Sequence, residues 1–108
     1  MSVLVTLRTT GDAAALERRA ADNPEGMRAI VEQAKGHGLI AHRFYASPDG
    51  DIMIVDEWPD QEGFQRFFAA AQSEIEPMMR DAGVAAEPEV KFWRKLETHD
   101  DYGWGTED

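Results

Sequence analysis

Between Ser2 and Arg8 the chain alternates, with Val3, Val5 and Leu7 on one side and Leu4, Thr6 and Arg8 on the other. A period of two predicts a strand with one strictly apolar face and one mixed face. Thr9, Thr10 and Gly11 read as a turn, and Asp12 as the cap of a short helix through Ala13, Leu16 and Ala20. Asn23-Pro24 restarts the helix, because proline is tolerated at the first helical position, and Met27, Ile30, Val31 and Ala34 then recur on one face. Gly36 closes that segment. Alternation returns from Gly38 to Ala46, with Leu39, Ala41, Arg43 and Tyr45 facing one way and Ile40, His42 and Phe44 the other. Ser47-Pro48-Asp49-Gly50 is a turn in which proline presets φ and glycine accepts a positive φ, so a hairpin leads into the strand Ile52 to Trp58.

From Ile52 to Phe68 the period changes in mid-stretch. Pro59 stops the strand, since it cannot donate to a ladder, and Asp60 caps a helix beginning at Gln61. Phe64, Phe67, Phe68 and Ala71 then build one helical face, which gives an aromatic corner beside Trp58. Ser73-Glu74-Ile75-Glu76 has capping-box spacing, and Ile75, Met78, Met79 and Ala82 continue the apolar face. Pro77 predicts a kink or a restart, and Gly83 an end. Pro88 to Leu96 is the last strand, with Val90, Phe92, Arg94 and Leu96 opposite Lys91, Trp93 and Lys95. The order is β, α, β, β, α, β. Right-handed crossovers put the helices on one face of a four-stranded antiparallel sheet, an α+β ferredoxin-like sandwich over residues 1–96. The other sheet face, Leu4 included, keeps apolar surface that a second copy packing sheet on sheet would cover, so a homodimer is expected.

Composition narrows the chemistry. Cysteine is absent from the 108 residues, which removes disulfides, thiolate metal sites and cysteine nucleophiles and fits a cytoplasmic location. The start lacks a positive n-region and its apolar run is too short to span a membrane, so no membrane association is expected. The net charge of −10 argues against nucleic acid as a partner, because phosphate contacts need clustered lysine and arginine. Half of that charge lies in residues 97–108, an acidic aromatic tail with five acids, no base, and Tyr102-Gly103-Trp104-Gly105. Such a tail either folds over a partner subunit or the pocket, or stays disordered.

The strand order, together with Val55-Asp56-Glu57-Trp58-Pro59-Asp60-Gln61-Glu62-Gly63-Phe64, resembles the antibiotic biosynthesis monooxygenase family of the dimeric α+β barrel superfamily, over roughly residues 2–96. The similarity is to that family's strand-ending aromatic, acidic turn and helix-opening phenylalanine. It implies a homodimer with a pocket between sheet and helices, and a monooxygenase that needs no cofactor because an apolar aromatic substrate, of polyketide or quinol type, itself reduces oxygen. The heme-degrading branch of the family uses an asparagine on the first strand, a tryptophan three residues past the helix-opening phenylalanine and a histidine ten residues further on. The corresponding places hold Val5, Thr6 or Leu7, then Phe67, then Pro77, so heme degradation is not implied.

A cofactor-independent oxygenation needs a dry aromatic cavity and a group that removes a substrate proton. His42, the one histidine within a predicted strand, is the candidate base; a histidine bonded within the sheet or facing a dimer interface is the competing reading. Phe44, Trp58, Phe64, Phe67, Phe68 and Trp93 are the candidate pocket wall, although phenylalanines at helical spacing serve a core equally well. Asp56 and Glu57 are neighbours in a strand and point to opposite faces, so they do not form a paired-carboxylate site; Asp56 with Arg43, or Glu57 with Arg94, would pair across strands. His37 and His99 lie in a turn and in the tail, and no metal is assigned. Two functions follow: an oxygenase of the kind described, or a non-catalytic dimer that binds a small apolar ligand or supports an assembly.

Overall fold

The computed structural model describes residues 2–81, 83 and 88–103. Ala82, the last residue expected on the third helix face, and Trp104 and Gly105 of the tail lie outside them. The elements are β1 (Val3–Thr10), α1 (Ala13–Asp22), α2 (Pro24–Gly36), β2 (Ala41–Ala46), β3 (Asp51–Trp58), α3 (Gln61–Asp81) and β4 (Glu89–Arg94). The strands form one antiparallel sheet in the order β2-β3-β1-β4, the ferredoxin-like α+β arrangement expected from the sequence.

Register decides which side chains meet. Val5 faces Asp56 on one side and Phe92 on the other, and Leu7 faces Ile54 and Val90. Val5, Leu7, Ile52 and Trp58 are buried against helix residues Leu16, Ala34, Phe64, Phe67, Ala71 and Met78, so the helices cover one sheet face and the core lies between the two layers. The opposite face carries Leu4, Thr6, Arg43, Tyr45, Val55 and Trp93, of which Leu4, Tyr45 and Trp93 are 40%, 41% and 46% exposed. Lys91 lies 5.1 Å from the Trp93 ring centroid on that face.

Local chemistry accounts for the corners. Asn23 serves two helices: its backbone N–H donates to the Arg19 carbonyl at the end of α1, and its side-chain oxygen accepts from Gly26 at the start of α2. The hairpin turn closes with Ser47 N–H donating to the Asp51 carbonyl at 2.9 Å, and Gly50 adopts the expected positive φ of 93°. Gly38, at φ 108°, carries the chain from α2 towards β2 while the Pro59 ring approaches the place of its absent side chain.

Several local expectations change. Thr9 and Thr10, expected in a turn, continue β1 opposite Ile52 and Asp51. The helix does not restart at Pro77: α3 runs through it as one element, and Ser73–Glu76 lie inside it instead of capping a new one. A proline removes one N–H from the ladder, but Met78 directly after it is buried and α3 packs on both α1 and α2, so tertiary packing offsets the missing bond. Strand β2 begins at Ala41, not Gly38, because Leu39 N–H is spent on the Ala34 carbonyl at the end of α2. Neither proposed carboxylate–arginine pair can form. Arg43 stands opposite Val55 and Arg94 opposite Val3, so Asp56 and Arg43 are on different faces, as are Glu57 and Arg94. Glu57 instead accepts from the Ser2 hydroxyl at 2.6 Å.

Candidate functional site

The β2–β3 hairpin sets His42 directly opposite Asp56 on the helix-covered face. His42 Nδ1 lies 2.7 Å from Asp56 Oδ1, and the Trp58 indole N–H donates to Asp56 Oδ2 at 3.2 Å. The three residues form a chain across two strands, running from Trp58, with no exposed surface, through Asp56, 6% exposed, to a half-buried His42. An ionised carboxylate only accepts hydrogen bonds, so the contact calls for a proton on Nδ1, and in the neutral ring Nε2 is then the acceptor. A carboxylate withdrawn from water needs this support. Two donors on two oxygens supply it, and among the described residues no buried side-chain nitrogen or oxygen lacks a partner.

His42 and Asp56 end at a cavity of about 400 Å³ between sheet and helices. The sheet contributes Leu7, Phe44 and Ile54; α2 contributes Met27, Arg28, Ile30, Val31 and Ala34; α3 contributes Phe64, Phe67, Phe68, Ile75, Met78 and Met79. Aromatic contacts fix its wall. Phe64 and Phe68 stack with centroids 5.4 Å apart, Phe64 meets Phe92 edge to face at 5.7 Å, and His42 meets Phe44 edge to face at 5.2 Å. Behind this wall Trp58 packs on both Phe64 and Phe67, at 5.9 and 5.5 Å.

The structure therefore gathers His42, Phe44, Phe64, Phe67 and Phe68 around one space. Trp58 stands one layer back and reaches that space through Asp56. Trp93 is not brought there: it lies on the opposite sheet face, where its indole N–H donates to the Thr6 hydroxyl at 2.9 Å. Asp56, which the sequence reading tied to Arg43, is the polar group it missed. The signal was available in the turn, since counting back from a hairpin centred on Asp49 pairs Ala46 with Ile52, Phe44 with Ile54 and His42 with Asp56. Among the described residues no three histidine, aspartate or glutamate side chains group as metal ligands, and no helix is long and apolar enough to cross a membrane.

Comparison with solved structures defines the class of fold. SnoaB of Streptomyces nogalater, a cofactor-independent oxygenase, superposes with a TM-score of 0.64 at 17% identity, over 93% of this chain and 98% of its own. The ActVA-Orf6 monooxygenase of Streptomyces coelicolor, solved in complex with nanaomycin D, gives 0.62 at 16% identity, over 88% and 87%. A conserved protein from Methanosarcina mazei gives 0.62 at 15%, over 89% and 94%. The chain has the fold of the antibiotic biosynthesis monooxygenases along nearly its whole length. No family model matches it, and no curated protein does.

Proposed function

We propose that the chain is a cofactor-independent monooxygenase of a flat, apolar aromatic substrate of polyketide or quinol type, with His42 as the general base. The observation that carries this reading is the Trp58–Asp56–His42 chain ending at an aromatic-walled cavity. Asp56 holds His42 Nδ1–H, so Nε2 accepts the proton of an activated substrate C–H or O–H, and the imidazolium formed stays paired with the carboxylate. The apolar wall keeps water from the resulting carbanion or phenolate, which is electron-rich enough to react with oxygen. For a doubly benzylic methylene the balance is R₂CH₂ + O₂ → R₂C=O + H₂O. One oxygen atom enters the new carbonyl, the other leaves as water, and the substrate supplies all four electrons.

Two copies would close the arrangement by packing their exposed sheet faces together, which supports a homodimer. The test is turnover of anthrone under ¹⁸O₂: one labelled oxygen in the anthraquinone formed, at a rate above buffer and without added reductant, is the expected result. Saturable anthrone binding with no rate above buffer would support the other reading, a ligand-binding protein of the same fold. That reading is favoured by a cavity in which His42 is the one histidine and the rest of the wall is mostly apolar.

A further inference from the structure

We infer that Arg28 makes this pocket select aromatic substrates that carry a carboxylate. The inference rests on the small-molecule reading of the cavity and adds a second recognition point to it. Among the described residues, and apart from Asp56, which His42 and Trp58 already engage, Arg28 is the charged residue on the cavity wall. It stands one position beyond Met27 on α2, beside the apolar stripe of Met27, Ile30, Val31 and Ala34, and it is exposed while still lining the cavity. A side chain that is exposed and yet lines an apolar cavity suits an arrangement with its aliphatic stem along the wall and its guanidinium at the mouth, in water's reach.

The head group is uncommitted. Arg8, Arg19, Arg66 and Arg80 each pair with a carboxylate, whereas Arg28 has no ion pair or side-chain hydrogen bond among the described residues. Arg18 and Arg94 share that condition but do not line the cavity. The acids nearest to it on α2 do not line the cavity either, and Glu32 is taken by Lys35 at 3.1 Å. A planar guanidinium matches a carboxylate in bidentate geometry, so a flat ring system between the phenylalanines would present its acid group outward to Arg28. The chain's net charge of −10 repels such a ligand at a distance. Screening limits that repulsion to about a Debye length, roughly 8 Å at physiological ionic strength, so the contact charge decides the bound state.

The experiment is a fluorescence titration of wild type and Arg28→Gln with 9-anthracenecarboxylate and with 9-anthracenemethanol at neutral pH. The ratio of acid to alcohol affinity should fall about fivefold in the variant, the scale of one partly exposed ion pair, while the alcohol's own affinity stays within about twofold. Arg28→Lys should keep part of the preference. An unchanged ratio, or a loss for both ligands alike, overturns the inference while leaving the cavity as a binding site. Failure of wild type to bind either ligand overturns the inference and the small-molecule reading together.

Discussion

Asp56 Oδ1 sits 2.7 Å from His42 Nδ1 while its other oxygen accepts the Trp58 indole N–H. One carboxylate thus orients a cavity-lining histidine and satisfies the indole N–H of a fully buried tryptophan at once. Asp56→Asn keeps the shape but offers an amide that can donate as well as accept, so the ring loses its fixed tautomer. Turnover should fall by about 10²-fold, near the lower end of what a positioned general base contributes, with little change in KM. Asp56→Ala strands the indole N–H as well, and should lower stability by about 1–3 kcal/mol in urea unfolding. If Asp56→Asn turns over at the wild-type rate, Asp56 does not position His42.

Gly63 shows how tightly the aromatic corner is built. An added Cβ would stand 3.1 Å from the His37 carbonyl oxygen and 3.6 Å from Trp58 Cε3, while its own N–H is capped by Asp60 at 2.8 Å. Helix propensity alone would reward alanine there by about 1 kcal/mol. The neighbour is backbone, which yields less easily than a side chain, so Gly63→Ala should bring no gain and a loss of about 1 kcal/mol or more in the melting equilibrium. A rise in the unfolding midpoint would show that the α2–β2 corner is looser than described.

Leu4, Tyr45 and Trp93 stand exposed on the sheet face that the helices leave bare. If that face joins two copies, Leu4→Asp combined with Trp93→Asp should convert a dimer at micromolar concentration into a folded monomer, read by sedimentation velocity alongside circular dichroism. A wild-type monomer at the same concentration would remove the proposed assembly.

Lys95 and Asp101 form an ion pair that ties the start of the tail to the end of β4. The hydrogen bond that Lys95 donates to Asp101 holds the ammonium's pKa above its ordinary value, and the same bond holds the Asp101 carboxyl below its own. The signs give a window. The contribution of Asp101 is present above the unfolded carboxyl value and fades as pH falls through its lowered folded value. That of Lys95 is present below the unfolded lysine value and is lost as pH rises through its raised folded value. Amide exchange in residues 97–103 should therefore be slowest, relative to an unstructured peptide, across the neutral range. Asp101→Asn or high salt should speed it, since the pair lies at the surface within reach of screening ions. Identical protection in Asp101→Asn would show that the tail is held by something else.

Much of this architecture was legible before the structure. The alternation of Val3, Val5 and Leu7, the Asn23-Pro24 restart and the Ser47–Gly50 turn are local signals, and the chain obeys them. What eluded the sequence was set by neighbours distant along the chain. Pro77 is a helix breaker by itself, yet tertiary packing carries α3 through it. Trp93 has the same chemistry as a pocket residue, and only its register opposite Leu4 puts it on the far face. Asp56 is a different case: charge alone suggests arginine, whereas the register that the hairpin turn sets, itself legible, gives it to His42.

In the proposed reaction His42 removes a proton from a substrate that then reacts with oxygen unaided. An oxygen electrode trace with anthrone tests it most directly, comparing wild type with a folded His42→Ala variant in metal-free buffer. The prediction is uptake of one O₂ per anthrone converted by wild type, and a rate at least about 10²-fold lower in the variant, the usual contribution of a positioned base. Equal uptake by both proteins, or none above buffer by either, would contradict it.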